Sequence, residues 1–197
     1  DLGEDNRADD LALVKKYFDV VEQPSEADFA ICLIQEPSTG FGFTYDDVKK
    51  GGNGYMPFSL QYDDYTATDA RTVSVAGGDP MEKTLNRSLK GKTVKAYNRD
   101  DMLLVAETKK AMGEKPVVVI LETGRPVVLS EIESSADAIL ISFNVQHQAL
   151  LDIISGKEEP SALLPMQMPA DMKTVEQQLE DVPRDMRCYQ DADGNTY

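Results

Sequence analysis

Hydrophobic residues fall along this chain in two kinds of pattern. Pro116–Leu121 is an unbroken apolar run rich in β-branched residues, and Ala138–Ser142 repeats it after one short connection. Ala27–Ile34 is a third apolar run, interrupted only by Asp28. Runs like these read as strands buried on both faces, as in a parallel sheet. Elsewhere the apolar spacing is helical. Asp9–Asp19 carries Leu11, Val14, Tyr17 and Phe18 on one stripe behind acidic starting residues, which predicts an amphipathic helix. Arg99–Met112 has Asp100 and Asp101 in its first turn, Lys109 and Lys110 in its last, and Gly113 just beyond. That charge order suits the helix dipole, and the glycine suits a C-cap. A short helical turn is expected around Val127–Ile132, and a helix over Gln146–Ser155 stopped by Gly156.

The order helix, strand, insertion, helix, strand, helix, strand, helix predicts βαβ units and a three-layer α/β sandwich. The sheet is expected to be mostly parallel, flavodoxin-like, and incomplete at its N-terminal edge, since the chain opens on a helix with no strand before it. Ligands of such sheets sit beyond the carboxyl ends of the strands, which directs attention to Glu122–Pro126 and Ser142–Gln148. The main domain spans residues 1–169, with a long insertion over 36–98 and a C-terminal extension over 170–197. The insertion carries the glycine-rich turns Gly51–Gly54 and Gly77–Pro80 and scattered aromatics. A connection of that length is usually functional or has structure of its own. Within it Arg71–Ala76 and Lys92–Tyr97 alternate as short strands. The extension is expected to hold a helix over Asp171–Asp181.

Charge narrows the function classes. A net charge of −15 opposes binding to nucleic acid or to an anionic membrane surface. No apolar run approaches the ~20 residues that span a bilayer. The start lacks an initiator Met and a signal-peptide pattern, and we read it as a cut or processed end. Cys32 and Cys188 are the only cysteines and His147 the only histidine. Cys32 reads as a buried free thiol. One histidine and two distant cysteines leave no zinc site, no Gly-x-Ser-x-Gly elbow accompanies His147, and no cofactor follows from the sequence. A nucleotide-binding flavodoxin-like reading fails for want of a glycine-rich loop opening a helix after the first strand.

Four strings, taken in order, resemble the second, α/β-sandwich domain of glycoside hydrolase family 3, which groups β-glucosidases, β-xylosidases and related exo-acting enzymes. Ala27–Gln35 is similar to the strand before that family's acid/base loop, and Lys115–Leu129 to its Lys-Pro-Val and Gly-Arg-Pro run. Asp137–Gly156 and Glu159–Pro169 resemble two further runs, and Asp193–Tyr197 the approach to a last one. The resemblance implies a retaining mechanism with a carboxylate nucleophile and a proton-donating carboxylic acid. It places the nucleophile on a preceding (β/α)₈ barrel that this sequence lacks, so the isolated chain is expected to be inactive. It implies a carbohydrate substrate, terminal β-glucosyl or β-xylosyl residues, and favours a periplasmic or secreted location, with the cytoplasm and homo-oligomerisation left open.

The acid itself does not carry over. Where many family members have Ser-Gly-Glu-Gly, this chain reads Thr39-Gly40-Phe41-Gly42; where others have Gly-Ser-Glu-Gly-Gln, it reads Val145-Gln146-His147-Gln148. An amide or a phenyl ring cannot donate a proton to a leaving oxygen. Glu36, just past a strand end, is the nearest carboxyl to the acid loop and the candidate catalytic residue. Asp46 and Asp47 are secondary candidates. Phe41, Gln146 and His147 are candidate substrate-binding residues. Tyr55, Phe58, Tyr62 and Tyr65 are expected either to stack on a sugar or barrel or to pack the insertion, and Arg125 to pair across the domain junction. A non-catalytic carbohydrate-binding or interaction module that has lost its acid is the competing reading.

Overall fold

The structure, a computed structural model, describes residues 10–73, 86–179 and 182–197. Three parallel strands, β1 (Ala30–Gln35), β4 (Val117–Glu122) and β5 (Ala138–Ser142), form the main sheet in the order β1-β4-β5. A two-residue antiparallel ladder, β2 (Tyr65–Thr66) with β3 (Thr93–Val94), lies within the insertion. The helices are α1 (Tyr45–Lys49), α2 (Arg99–Met112), α3 (His147–Ile154) and α4 (Met172–Gln177). The mostly parallel sheet with helices against it is the expected α/β sandwich.

β4 is central because it is the most apolar segment. Val117, Val119, Ile120 and Leu121 are buried on both of its faces. On one face Val119 and Leu121 meet Cys32, Ile34, Val105 and Met112, joined by Tyr62, Ile132, Met168 and Tyr189 from the loops. This face is the main core. α2 packs on it as the charge order suggests, and its C-cap Gly113 has φ 62°, a left-handed conformation that costs glycine little.

β1 departs from expectation. Its pattern predicts burial on both faces, yet Leu33 is 42% exposed while Ile34 is 1% exposed. The second face of β1 borders a cleft of about 860 Å³ whose lining includes Leu11, Val14, Phe18, Leu33, Leu150 and Leu151. The N-terminal segment, helical over 10–14, covers this cleft without filling it. Among the described residues no strand pairs with the free edge of β1.

The expected turn at Val127–Ile132 resolves into two 3₁₀ turns, Leu129–Glu131 and Glu133–Ser135. The C-terminal helix is shorter than Asp171–Asp181. It starts where Asp171 caps Thr174 N–H and ends at Gln177, with residues 180–181 outside the described set. Of the strand expected over Arg71–Ala76, residues 71–73 are not extended into a ladder, and the remainder falls outside the described residues, as does Gly77–Pro80. Both cysteines are free. Among the described residues no helix is long and apolar enough to cross a membrane.

Candidate functional site

Parallel pairing sets Gln35, Glu122 and Ser142 side by side at the carboxyl edge of the sheet. From this row the chain leads into two polar clusters and one aromatic surface.

The first cluster surrounds Glu36, which continues the β1 ladder by donating its N–H to Glu122 O (2.9 Å). Its Oε2 accepts Thr123 Oγ1–H (2.7 Å) and Gly124 N–H (2.8 Å). Arg125 Nε lies 3.1 Å from Oε1, close enough for an ion pair but not aligned as a hydrogen bond. The same guanidinium donates to Pro37 O (2.5 Å). Arg125 therefore pairs inside the domain, and it ties the loop after β4 to the loop after β1. Asn98 Nδ2 adds a hydrogen bond to Glu36 O (3.0 Å).

Beyond Pro37 the chain turns at Thr39–Gly42. Gly40 has φ 84° and Gly42 φ 72°. A Cβ on the first would stand 2.9 Å from Tyr97 Oη, and on the second 2.9 Å from the Phe58 ring. Two left-handed glycines backed by two rings drive Phe41 outward, where it is 100% exposed. Tyr97, Tyr45 and Phe58 are more than half exposed around it, at 81%, 75% and 54%. Phe43 packs edge-on against both Tyr45 and Tyr55, with centroids 5.4 Å apart in each pair. The other expected stacking residues are elsewhere: Tyr62 is buried in the main core, and Tyr65 is buried in a second cluster with Ala67, Val128 and Met172. Tyr62 Oη donates to Gln35 O (2.6 Å). The Glu131 carboxylate accepts Tyr62 N–H (2.5 Å) and Asp63 N–H (3.1 Å), and burial pushes its pKa up.

The aromatic arm is fastened by Lys92. Its ammonium donates to Asp47 Oδ2 (2.6 Å), Tyr55 O (2.7 Å) and Asn53 Oδ1. Asp47 also accepts Gly54 N–H (2.7 Å), and the Lys92 hydrogen bond holds its carboxyl below the ordinary range. Asp47 thus organises the Gly51–Gly54 turn, whereas among the described residues the Asp46 carboxylate meets the exposed Lys49 at 3.4 Å.

The second cluster contains His147. Gln146 is the exposed N-cap of α3 and makes no capping bond. His147 Nδ1 is 2.7 Å from Asp10 Oδ1 and Nε2 is 3.3 Å from Glu122 Oε1, while Gln35 Nε2 donates to the other Glu122 oxygen. Glu36 and Phe41 thus share the loop after β1. His147 reaches that loop only through Glu122 and Gln35. The sequence pattern points to Glu122 only as the start of the Glu122–Pro126 edge, and it singles out none of Lys92, Glu131 and Tyr97 as a site residue. Glu122 closes an apolar run and was accessible to inspection, while Lys92 has no local signal.

A family model described as the glycosyl hydrolase family 3 C-terminal domain matches residues 14–197. The chain belongs to this family. Among curated relatives, the probable beta-glucosidase C of Aspergillus flavus is 37% identical over 86 residues, covering 41% of this chain and 14% of that protein. The probable beta-glucosidase C of Aspergillus oryzae matches with the same identity and coverage. The beta-glucosidase C of Emericella nidulans is 35% identical over 80 residues, covering 41% of this chain and 13% of that protein. The matched part of this family 3 chain therefore spans about one-seventh of those relatives' length. No solved structure matches the chain significantly.

Proposed function

We propose that this family 3 domain serves an exo-acting, retaining β-glycosidase that removes terminal β-glucosyl or β-xylosyl residues. Its loops close one side of a sugar site whose nucleophile stands on a (β/α)₈ barrel. The observation that carries this reading is the aromatic surface at the carboxyl edge of the sheet. Phe41, Tyr97, Tyr45 and Phe58 hold large ring faces in solvent, on a turn braced by two glycines and a part-buried Asp47–Lys92 pair. Exposing several aromatics together forgoes burial worth about 25 cal/mol per Å², and such patches mark binding surfaces. The apolar face of a pyranose ring packs on an aromatic face, while its hydroxyls need directed polar partners. The beta-glucosidase relatives support the substrate class.

Glu36 stands at the start of the loop after β1 that carries Phe41. With Thr123, Gly124 and Arg125 on its oxygens, the arrangement suits a residue that positions the two loops. Acting as proton donor, it would have to release them. The replacement Glu36→Gln in the full-length enzyme separates the roles. A proton donor would lose about 10²–10⁴-fold in kcat/KM with poor alkyl leaving groups and much less in kcat/KM with nitrophenol, whose kcat would fall because deglycosylation loses its base and would be restored by azide. A positioning role gives a similar loss with both leaving groups and no azide rescue.

The aromatic in place of an acid and the occupied oxygens of Glu36 also favour the second reading, a carbohydrate-binding module without turnover. Full-length protein assayed with nitrophenyl β-glucoside and β-xyloside decides between them. The proposal expects release of nitrophenol by full-length protein and none by this chain alone; saturable sugar binding with no turnover selects the module.

A further inference from the structure

We propose that His147 is a protonation-dependent clamp that fastens the N-terminal helical segment over the cleft on the second face of the sheet. A neutral imidazole has one N–H and one bare nitrogen, so it can satisfy only one carboxylate partner. His147 faces two, Asp10 Oδ1 at 2.7 Å from Nδ1 and Glu122 Oε1 at 3.3 Å from Nε2. Both contacts are favourable together only when both nitrogens carry protons and the ring is an imidazolium. The two carboxylates come from different parts of the fold. Glu122 ends the central strand, and its other oxygen is held by the Gln35 amide at the end of β1. Asp10 stands at the start of the described N-terminal segment. The imidazolium therefore bridges a fixed anchor to a peripheral piece of chain.

Among the described residues few other directed contacts hold that piece: Phe18 packs edge-on against Phe29 with ring centroids 5.2 Å apart. Tyr17 Oη donates to Asp152 Oδ1 on α3 (2.7 Å), which also receives Lys157 Nζ (2.9 Å). Beneath it lies the cleft of about 860 Å³, with Val14, Phe18, Ile31, Leu33 and Leu150 in its walls, so apolar packing is loose. Among the described residues, Asp10, Glu122, Asp152 and Lys157 are charged groups that face His147 or its helix from the elements around it. None of the others can replace the bridge when the ring loses its proton, because Asp10 and Glu122 are then left as two carboxylates around one N–H. The ordinary histidine pKa is 6.5, and here it is raised, chiefly by the hydrogen bond to Asp10, against a smaller lowering by burial. A raised value means the clamp's contribution is complete below about pH 6.5 and is lost as pH rises through the folded-state value. Release of the segment would uncover the apolar cleft.

The single histidine makes the test direct, because the imidazole Cε1–H region of the NMR spectrum of this chain holds one protein signal. The titration midpoint is expected above 6.5, and Asp10→Asn should lower it by about one unit. Amide exchange supplies the conformational readout. The amides of Lys15, Lys16, Tyr17 and Phe18 close the turns of the segment. After correction for intrinsic rates, their protection should fall about three- to tenfold from pH 5.5 to about pH 8.5, with the same midpoint as the ring. In His147→Gln and in Asp10→Asn that dependence should flatten, and the half-buried Asp10 site keeps the test alive if the histidine variant fails to fold. A midpoint at or below 6.5, a midpoint unmoved by Asp10→Asn, or protection constant across the titration would each overturn the clamp.

Discussion

Gly52 shows how one missing methylene can hold a surface in place. A Cβ there would enter the contact distance of the Asp47 carboxylate. That carboxylate cannot swing aside, because Lys92 Nζ and Gly54 N–H fix it at 2.6 and 2.7 Å. Gly51, one position earlier, has φ 89° but open space around its Cβ position. The two sites therefore separate collision from backbone strain. Gly51→Ala is expected to cost about 1 kcal/mol for the left-handed conformation. Gly52→Ala should cost about 2–3 kcal/mol, since it also displaces the Asp47–Lys92 pair. Urea unfolding of both variants checks the order. Equal midpoints for the two would mean that the turn yields to the added methyl and that Asp47 does not brace the aromatic arm.

Strands and helices differ in how far local pattern determined them, and their energetics follow the same division. β4, β5 and α2 stand where their patterns place them, because unbroken apolar runs of four to six residues, or fourteen residues with ordered end charges, leave few alternatives. The insertion was not legible in that way. β2 and β3 are two residues each, and they pair Tyr65 with Val94 and Thr66 with Thr93 across a long stretch of chain. No period can be read from two residues. α1 is five residues long and starts at the Thr44 cap, whose side chain accepts Asp46 N–H. The site was half legible for the same reason. Glu36 and Phe41 could be singled out by position, but the partners of Glu36 lie at Thr123–Arg125, 87 or more residues away, and only folding discloses them. The burial contrast between strands gives a measurable consequence. Val119→Ala removes buried methyl groups from the central strand, with Val119 at 0% exposure, and should cost about 1.5–3 kcal/mol. Leu33→Ala on the open face of β1 removes more carbon but from a 42% exposed site, and should cost less than about 1 kcal/mol. A larger loss at Leu33 than at Val119 in thermal unfolding would show that the cleft beside β1 is packed more tightly in solution.

The domain as a charged body has two opposing dependences on pH, and their crossing can be located. Asp47, Asp63, Asp137, Asp152, Asp171 and Asp191 all have values lowered by hydrogen bonds, the first three chiefly by Lys92, Arg99 and Lys109. A lowered carboxyl pKa stabilises the fold above the unfolded value of 3.8 and loses that contribution as pH falls through the folded value. These six carboxylates set the acid limb. On the other side, His147 and Glu131 have raised values, the first from its Asp10 partner and the second from burial. Each contributes most below its unfolded pKa and loses that contribution as pH rises through its folded one. Self-repulsion acts in the same sense, since the net charge of −15 at neutral pH shrinks as carboxylates protonate. Stability should therefore peak near pH 5–6, on the acid side of neutral, and fall toward both pH 3 and pH 8. Salt divides the alkaline limb into its causes. About 0.5 M NaCl screens the dispersed repulsion and should recover part of the loss between pH 6 and pH 8, and His147→Gln should remove a further part, leaving what Glu131 contributes. Urea midpoints that keep rising to pH 8 in low salt would mean that the paired carboxylates outweigh both the histidine and the net charge.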